Sequence, residues 1–174
     1  MSFLTRLFGD RRERHVLQPL YSAIVAAGRD PVWYREGGVP DTLEGRFDMI
    51  AAVLALVLLR LEEEGEAGKR DSVLLAEIFI DDMDGTLRQI GIGDFVVGKH
   101  VGKLMGALGG RLGAMRNAFA TGEGLEAVVR GNIFRGAEAS DEEVAFVSNG
   151  LRALHGRLKG ASLEQLRGGG LGGA

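Results

Sequence analysis

The chain contains no cysteine and only 3 prolines among its 174 residues. Without cysteine, it can form no disulfide and has neither a thiolate metal ligand nor a cysteine nucleophile. The formal net charge is −3, so the excess of positive charge typical of a general nucleic-acid-binding protein is missing, and we expect no specific nucleic-acid partner. Phosphate-binding loops and the G-x-S-x-G nucleophile motif are also absent. The sequence therefore predicts no catalytic residue and no cofactor.

The chain also lacks an apolar run long enough to cross a membrane. Its longest run, Met49 to Leu59, lies within "GRFDMIAAVLALVLLRLEEE". Eleven residues rise only about 16 Å as a helix, against roughly 30 Å of hydrocarbon in a bilayer. We predict a helix from about Asp41, which forms a capping box with Glu44, to Glu64. Because its centre is apolar on every face, this helix should be the buried centre of the fold.

Helical periodicity on both sides of this run predicts the all-α class. We expect a single-domain helical bundle of about six to seven helices around the central hydrophobic helix. One helix should run from Leu17 to Gly28, with Pro19 in its first turn, and "GEAGKRD" should be a loop. The expected division is residues 1–14 as an amphipathic basic segment, 15–160 as the helical domain and 161–174 as a Gly-rich flexible tail. The other expected helices cover about 72–90, 94–120, a short segment ending near 135, and one capped by Ser140 and Glu143.

Glycine, in contrast, is abundant, with 28 residues, and in the fifth predicted helix it recurs at every fourth position from Gly98 to Gly110. Each glycine inside a helix costs about 1 kcal/mol relative to alanine, whereas a stripe of small residues lets two helices approach closely. The stripe could pack tightly against the central helix, form a groove for a transmembrane helix of a partner, or reflect compositional drift. The candidate partner-binding residues are Arg46, Asp48, Lys99, Gly102, Lys103, Gly106 and Arg111.

Arg46 and Asp48 are ionisable residues at the start of the apolar run. A buried charge must be paired, because an uncompensated one costs several kcal/mol. We expect Lys99 or Lys103 to pair with Asp48, and the acidic fourth helix to pair with Arg46. Direct contact with a partner protein is the alternative.

An acidic face is predicted on the fourth helix, where Glu77, Asp81 and Asp84 follow the i, i+4, i+7 spacing. Carboxylates with this spacing can bind a divalent metal, and a helical metal-dependent enzyme is one alternative function. Asp84 also precedes Arg88 by four residues, which is the spacing of an ordinary ion pair on a helix surface. We therefore favour a solvated or ion-paired face over an acidic partner surface, and both over a metal site.

The N-terminal segment combines apolar and basic residues. Its candidate membrane contacts are Phe3, Leu4, Leu7, Phe8, Arg11 and Arg12. A basic amphipathic turn suits an anionic membrane surface, although packing onto the body of the chain explains the pattern equally well. A generic membrane-surface scaffold is thus another alternative function.

Several stretches resemble the ubiquinol–cytochrome c chaperone family. They are "LYSAIVAAGRDPVWYREGGVPDTLEGRFDMI", the pair Arg60-Leu61, "DMDGTLRQIGIGDFVVGKHVGKL" and "LEAVVRGNIF". The resemblance covers about residues 15 to 158. The pair "GVPDT…GRFD" and "DMD…LR…G-[IV]-G-D…VGK" is fairly specific, although neither pattern is a catalytic signature.

The resemblance implies a helical, non-enzymatic chaperone that binds newly synthesised cytochrome b and aids biogenesis of the bc1 complex at the membrane. It leaves open whether a small partner protein or the ribosome takes part. With no transit peptide evident, we expect a bacterial member that is cytoplasmic and peripherally associated with the inner membrane.

Overall fold

The computed structural model describes residues 3–89 and 94–172, with only the backbone for 3–13, 87 and 94–101. In these ranges the fold is entirely helical, with no strand, as the periodicity predicts. Three of the eight described α-helices have only five residues, so the long helices form a small bundle. The helices are α1 (Phe3–Gly28), α2 (Pro31–Arg35), α3 (Leu43–Glu62), α4 (Gly65–Gln89), α5 (Asp94–Thr121), α6 (Leu125–Val129), α7 (Asp141–Lys159) and α8 (Leu163–Arg167), with a π-helical turn at Arg130–Phe134.

The central helix of the bundle is α3, and α1, α4, α5 and α7 pack around it. Every residue from Met49 to Leu59 is buried, which confirms the prediction for the apolar run. Burial of each large aliphatic side chain contributes about 1.5–3 kcal/mol, so this run contributes strongly to the stability of the bundle. The N-cap differs from the prediction: Thr42 Oγ1, rather than Asp41, accepts a hydrogen bond from the Gly45 backbone N–H at 3.1 Å.

The first helix is longer than predicted. It begins at Phe3 and runs without a break to Gly28, so the expected boundary between residues 14 and 15 falls inside it. Pro19 therefore lies in the interior of α1, not in its first turn. Since proline has no backbone N–H, one hydrogen bond of the helix is missing there. The prediction was wrong because it placed the helix start at Leu17, where regular apolar spacing begins.

The predicted loop "GEAGKRD" is also helical, because α4 already begins at Gly65. Only two residues separate α3 from α4, and Gly65 has a left-handed φ of 66° in this tight turn. Gly68 lies against the backbone carbonyl of Leu61, where an added Cβ would come within 1.9 Å of the oxygen. The glycines that suggested a loop are thus needed for a close helix–helix connection.

The C-terminal residues form a helix instead of the expected flexible tail from residue 161. Ser162 and Gln165 form a capping box at the start of α8, and Leu166 is fully buried. Arg167 holds Asp71 of α4 with a 2.7 Å ion pair. The high glycine content suggested a flexible tail and hid the capping box and the buried leucine. These two features are enough to dock a short helix. The other predicted box, Ser140 with Glu143, is confirmed at the start of α7.

Candidate functional site

One side of α5 is open to solvent. The other side of the helix packs into the bundle through Leu108, Arg111, Met115 and Ala118. We call the open side the α5 outer face, and it comprises Gly102, Lys103, Met105, Gly106, Gly109, Gly110 and Gly113.

The glycines of the α5 outer face leave open space beside the helix in the described part of the chain. Apart from the backbone of α5 itself, a Cβ atom added at any of its five glycines would have no described heavy atom within 4 Å. The interpretation of the stripe as tight packing against α3 is therefore wrong for these glycines. The buried side of α5 consists instead of Leu108, Arg111, Met115 and Ala118, whose side chains fill the space against the rest of the bundle.

The α5 outer face has little relief and one prominent apolar side chain. Met105 is 50% exposed, and the neighbouring Lys103 is also exposed. Further along the helix, Arg116 holds Glu62 of α3 in a 2.6 Å ion pair. A helix surface without side chains allows the backbone of a second helix to approach closely, and charges at its edge would keep it soluble when empty.

Asp48 and Arg111 form an ion pair inside the bundle. Their side chains are each 1% exposed, and Arg111 Nη2 lies 2.8 Å from Asp48 Oδ1. Arg111 also donates to the backbone carbonyl of Asn132 at 3.0 Å, and Arg135 Nε lies 3.1 Å from Asp48 Oδ2. These contacts join α3, α5 and the π-helical turn. Asp48 and Arg111 therefore have a structural position and cannot touch a partner directly.

The expected partners of Asp48 were Lys99 or Lys103, whereas the described residues pair it with Arg111 and Arg135. Lys103 is exposed, and the side chain of Lys99 lies outside the described residues. Burial raises the pKa of Asp48, whereas the positive charges of Arg111 and Arg135 oppose this rise. Burial lowers the pKa of Arg111, but from a value so high that the guanidinium stays charged.

Arg46 lies on the opposite side of the start of α3, half-exposed, and does not pair with the acidic fourth helix. Its Nε atom donates to Asp41 Oδ1 at 2.6 Å. The hydrogen bond from Arg46 lowers the pKa of Asp41. The predicted pairing was wrong because Asp41, in the loop that precedes α3, takes the role of partner.

The acidic face of α4 is ion-paired, as favoured from its spacing. Arg14 of α1 bridges Glu77 and Asp81 at 2.9 and 2.5 Å, and Arg88 lies 2.8 Å from Asp84. Glu77 and Asp81 thus fasten α4 to α1, whereas Asp84 is paired within α4. Within the described ranges, no group of three or more histidine, aspartate or glutamate side chains is arranged to hold a metal ion.

The predicted membrane contacts Phe3, Leu4, Leu7, Phe8, Arg11 and Arg12 belong to the first turns of α1, where only the backbone is described. What these side chains contact lies outside the described residues. In the described part of the chain, no helix combines the length and apolar character needed to cross a bilayer.

Three residues that fix the positions of helices in the bundle were not identified from sequence. Asn132 supplies the carbonyl for Arg111, and Arg135 reaches Asp48 from a left-handed backbone with φ of 50°. Tyr21 donates to Asp82 at 2.6 Å and ties α1 to α4. No local pattern marks these contacts, because each joins residues more than twenty positions apart or depends on the π-helical turn.

Comparison with known proteins agrees with this architecture. Residues 35–171 match the family model described as ubiquinol-cytochrome C chaperone. The chain belongs to the ubiquinol–cytochrome c chaperone family. The match includes α3 to α8 and so covers the α5 outer face, the buried Asp48–Arg111 pair and the acidic face. Membership in this family supports a role as an assembly chaperone for the bc1 complex.

A solved structure extends the similarity over nearly the whole chain. It is described as the crystal structure of the Cbp3 homolog from Brucella abortus, and the two chains are 29% identical. The match covers 96% of this chain and 94% of that one, with a TM-score of 0.79. No curated protein matches the chain. The all-helical fold is thus shared with a solved structure, including the helices that precede the family match.

Proposed function

We propose that this member of the ubiquinol–cytochrome c chaperone family binds newly synthesised cytochrome b and holds it for assembly into the bc1 complex. The observation that carries the proposal is the family match over residues 35–171. Cytochrome b is the client that the sequence resemblance implies. Its transmembrane helices need cover from water until they are assembled, because their apolar surfaces would otherwise aggregate.

We place the client on the α5 outer face. The apolar residues of α3 from Met49 to Leu59 are buried inside the bundle, so a client cannot contact them. The α5 outer face offers exposed helix backbone and a half-exposed Met105 in their place. Methionine suits such a surface, since its flexible side chain adapts to different apolar partners. Of the candidate residues, Gly102, Lys103 and Gly106 belong to this face, whereas Asp48 and Arg111 support it from within.

We also propose that the protein works at the membrane surface, with the N-terminal turns of α1 as the contact. Basic residues near an anionic surface each contribute about 1 kcal/mol. Peripheral attachment would hold the chaperone where the membrane segments of cytochrome b are inserted. A small partner protein or the ribosome could share this location, and nothing in the fold requires either.

The test is a gene deletion with complementation. Deletion should lower the level of spectroscopically detectable cytochrome b and of assembled bc1 complex, and the wild-type gene should restore both. A complementing gene with Gly106→Leu should restore much less, whereas one with Gly156→Leu, in an exposed part of α7, should restore both. Normal bc1 levels in the deletion strain would refute the assembly role itself, independently of where the client binds.

A further inference from the structure

A basic cleft lies at the start of α3, away from the α5 outer face. It is lined by Arg29, Pro31, Tyr34, Arg35, Asp41 and Arg46 and has a volume of about 390 Å³. Three arginines and one aspartate give its lining a formal charge of +2, in a chain whose net charge is −3. The positive charge is thus concentrated locally, against the balance of the whole protein.

Two of the three arginines have no carboxylate partner in the described ranges. Arg29 and Arg35 are exposed, and neither forms an ion pair with a residue in 3–89 or 94–172. Arg46 is paired with Asp41 only through Nε, which leaves its terminal nitrogens without a described acceptor. A planar guanidinium is well suited to hold phosphate oxygens through two parallel hydrogen bonds.

The backbone that carries these arginines is held firmly. Tyr34 donates to the Gly28 carbonyl at 2.7 Å, and Trp33 donates to the Ala27 carbonyl at 2.8 Å. Asp30 caps α2 by accepting from the Val32 N–H. Both aromatic rings therefore fasten α2 to the last turn of α1, and the three arginines project around a fixed floor. A preformed site of this kind loses less conformational entropy when it binds a ligand.

The charged residues of the cleft affect the pKa of Tyr34. Burial raises the pKa of Tyr34; the positive charge of Arg46 opposes this rise, the negative charge of Asp41 adds to it, and Arg29 opposes it. Two arginines from different elements of the fold therefore act on this side chain, and their attraction for an anion over Tyr34 is partly offset by Asp41.

We propose that this cleft binds the phosphate group of a phosphate ester. The arginine side chains would hold the phosphate oxygens, and the remaining volume would accommodate the alcohol part of the ester beside the ring of Tyr34. The ester could be the headgroup of an anionic phospholipid in a bilayer or a small soluble molecule. The proposal does not depend on the client or on the N-terminal turns of α1.

The test compares two double variants of the full-length protein. Arg29→Gln/Arg35→Gln removes the two arginines of the cleft that lack carboxylate partners. Arg157→Gln/Lys159→Gln removes the same charge from exposed positions in the last turn of α7, and serves as the matched control. Since none of these four residues makes a described ion pair, both folds should survive, which thermal melting verifies. Arg29→Lys/Arg35→Lys keeps the positive charges but removes the planar guanidinium groups.

Two ligands distinguish the sources of the phosphate. One is a vesicle of phosphatidylglycerol in phosphatidylcholine, measured by cosedimentation, and the other is glycerol 1-phosphate, measured by titration calorimetry. For vesicles we expect the cleft variant to lose affinity about 25-fold, roughly five-fold for each arginine, and the control variant to lose much less. The lysine variant should lie between wild type and the glutamine variant.

Each outcome decides the question. Loss of vesicle binding in the cleft variant alone assigns a lipid headgroup, and loss of glycerol 1-phosphate binding alone assigns a soluble ester. The proposal is overturned if wild-type protein binds neither ligand, or if the cleft and control variants weaken binding equally, since the effect would then be one of overall charge. Normal client binding by the cleft variant would leave the proposed function untouched.

Discussion

Gly106→Leu separates client binding from folding more sharply than other changes on the α5 outer face. Apart from the backbone of α5, a Cβ at position 106 meets no heavy atom of the described residues within 4 Å, so a leucine there would project into solvent. Replacing glycine by a good helix former inside a helix gains about 0.8 kcal/mol. For a chain of this size, such a gain raises the melting temperature by about 2–3 °C.

The same leucine should harm client binding. It would stand in the path of any helix that approaches the backbone of α5, and the loss of close contact should weaken binding at least ten-fold, or about 1.4 kcal/mol. The assay combines thermal melting of the purified variant with its capture of cytochrome b made in a coupled translation and membrane-insertion reaction. A variant that melts higher and captures less is the expected result.

The control is Gly156→Leu, in α7. This glycine is also exposed and helical, and an added Cβ likewise meets nothing within 4 Å. It should gain the same stability and capture cytochrome b normally. Two results would refute the reasoning: a Gly106→Leu protein that is less stable than wild type, which would mean the face is not open, or one that captures the client as well as wild type does.

Three further predictions follow from the fold. Arg111→Met should lower the free energy of unfolding by about 3–5 kcal/mol, because it leaves Asp48 buried without its closest cation. In denaturant unfolding, the double variant Asp48→Asn/Arg111→Met should lose less of this free energy than Arg111→Met does. An equal loss in both variants would contradict the role of the ion pair. Burial beside Lys159 lowers the pKa of His155 below its usual 6.5, so the unfolded state binds the proton first as the pH falls. The stability of wild type should therefore decline as the pH drops below 6.5, more than that of His155→Gln, and parallel curves would exclude this effect. Removing residues 2–9 should weaken association with anionic liposomes in a flotation assay, and unchanged flotation would remove the N-terminal turns from the membrane contact.

Much of the fold could be predicted from sequence, because hydrophobic periodicity reports which side of a helix is buried. The central position of α3 follows directly from its apolar run, α5 begins and ends close to the predicted residues, and α7 begins at its predicted capping box. Helix ends near glycine were predicted less well. Gly65 and Gly68 suggested a loop but allow a tight turn and a close helix contact, and the glycines around α8 concealed its capping box.

The candidate site could be predicted only in part. Regular spacing identified the glycines of α5, but spacing alone could not show whether they face the core or the solvent. Charge pairing was harder, since the partner of a buried ion is set by the tertiary fold. Asp48 obtains Arg111 from a helix sixty-three positions away and Arg135 from a turn with unusual backbone geometry. For Arg46, the correct partner was Asp41, five residues earlier in the chain.

The most direct test of the account is site-specific photo-crosslinking to newly made cytochrome b. A photoreactive amino acid replaces Met105 on the α5 outer face in one variant and Val73 on α4 in the other; the two side chains are 50% and 59% exposed. We predict a crosslink to cytochrome b from position 105 and little or none from position 73. Equal crosslinking from both positions, or crosslinking from position 73 alone, would contradict the claim that the α5 outer face holds the client.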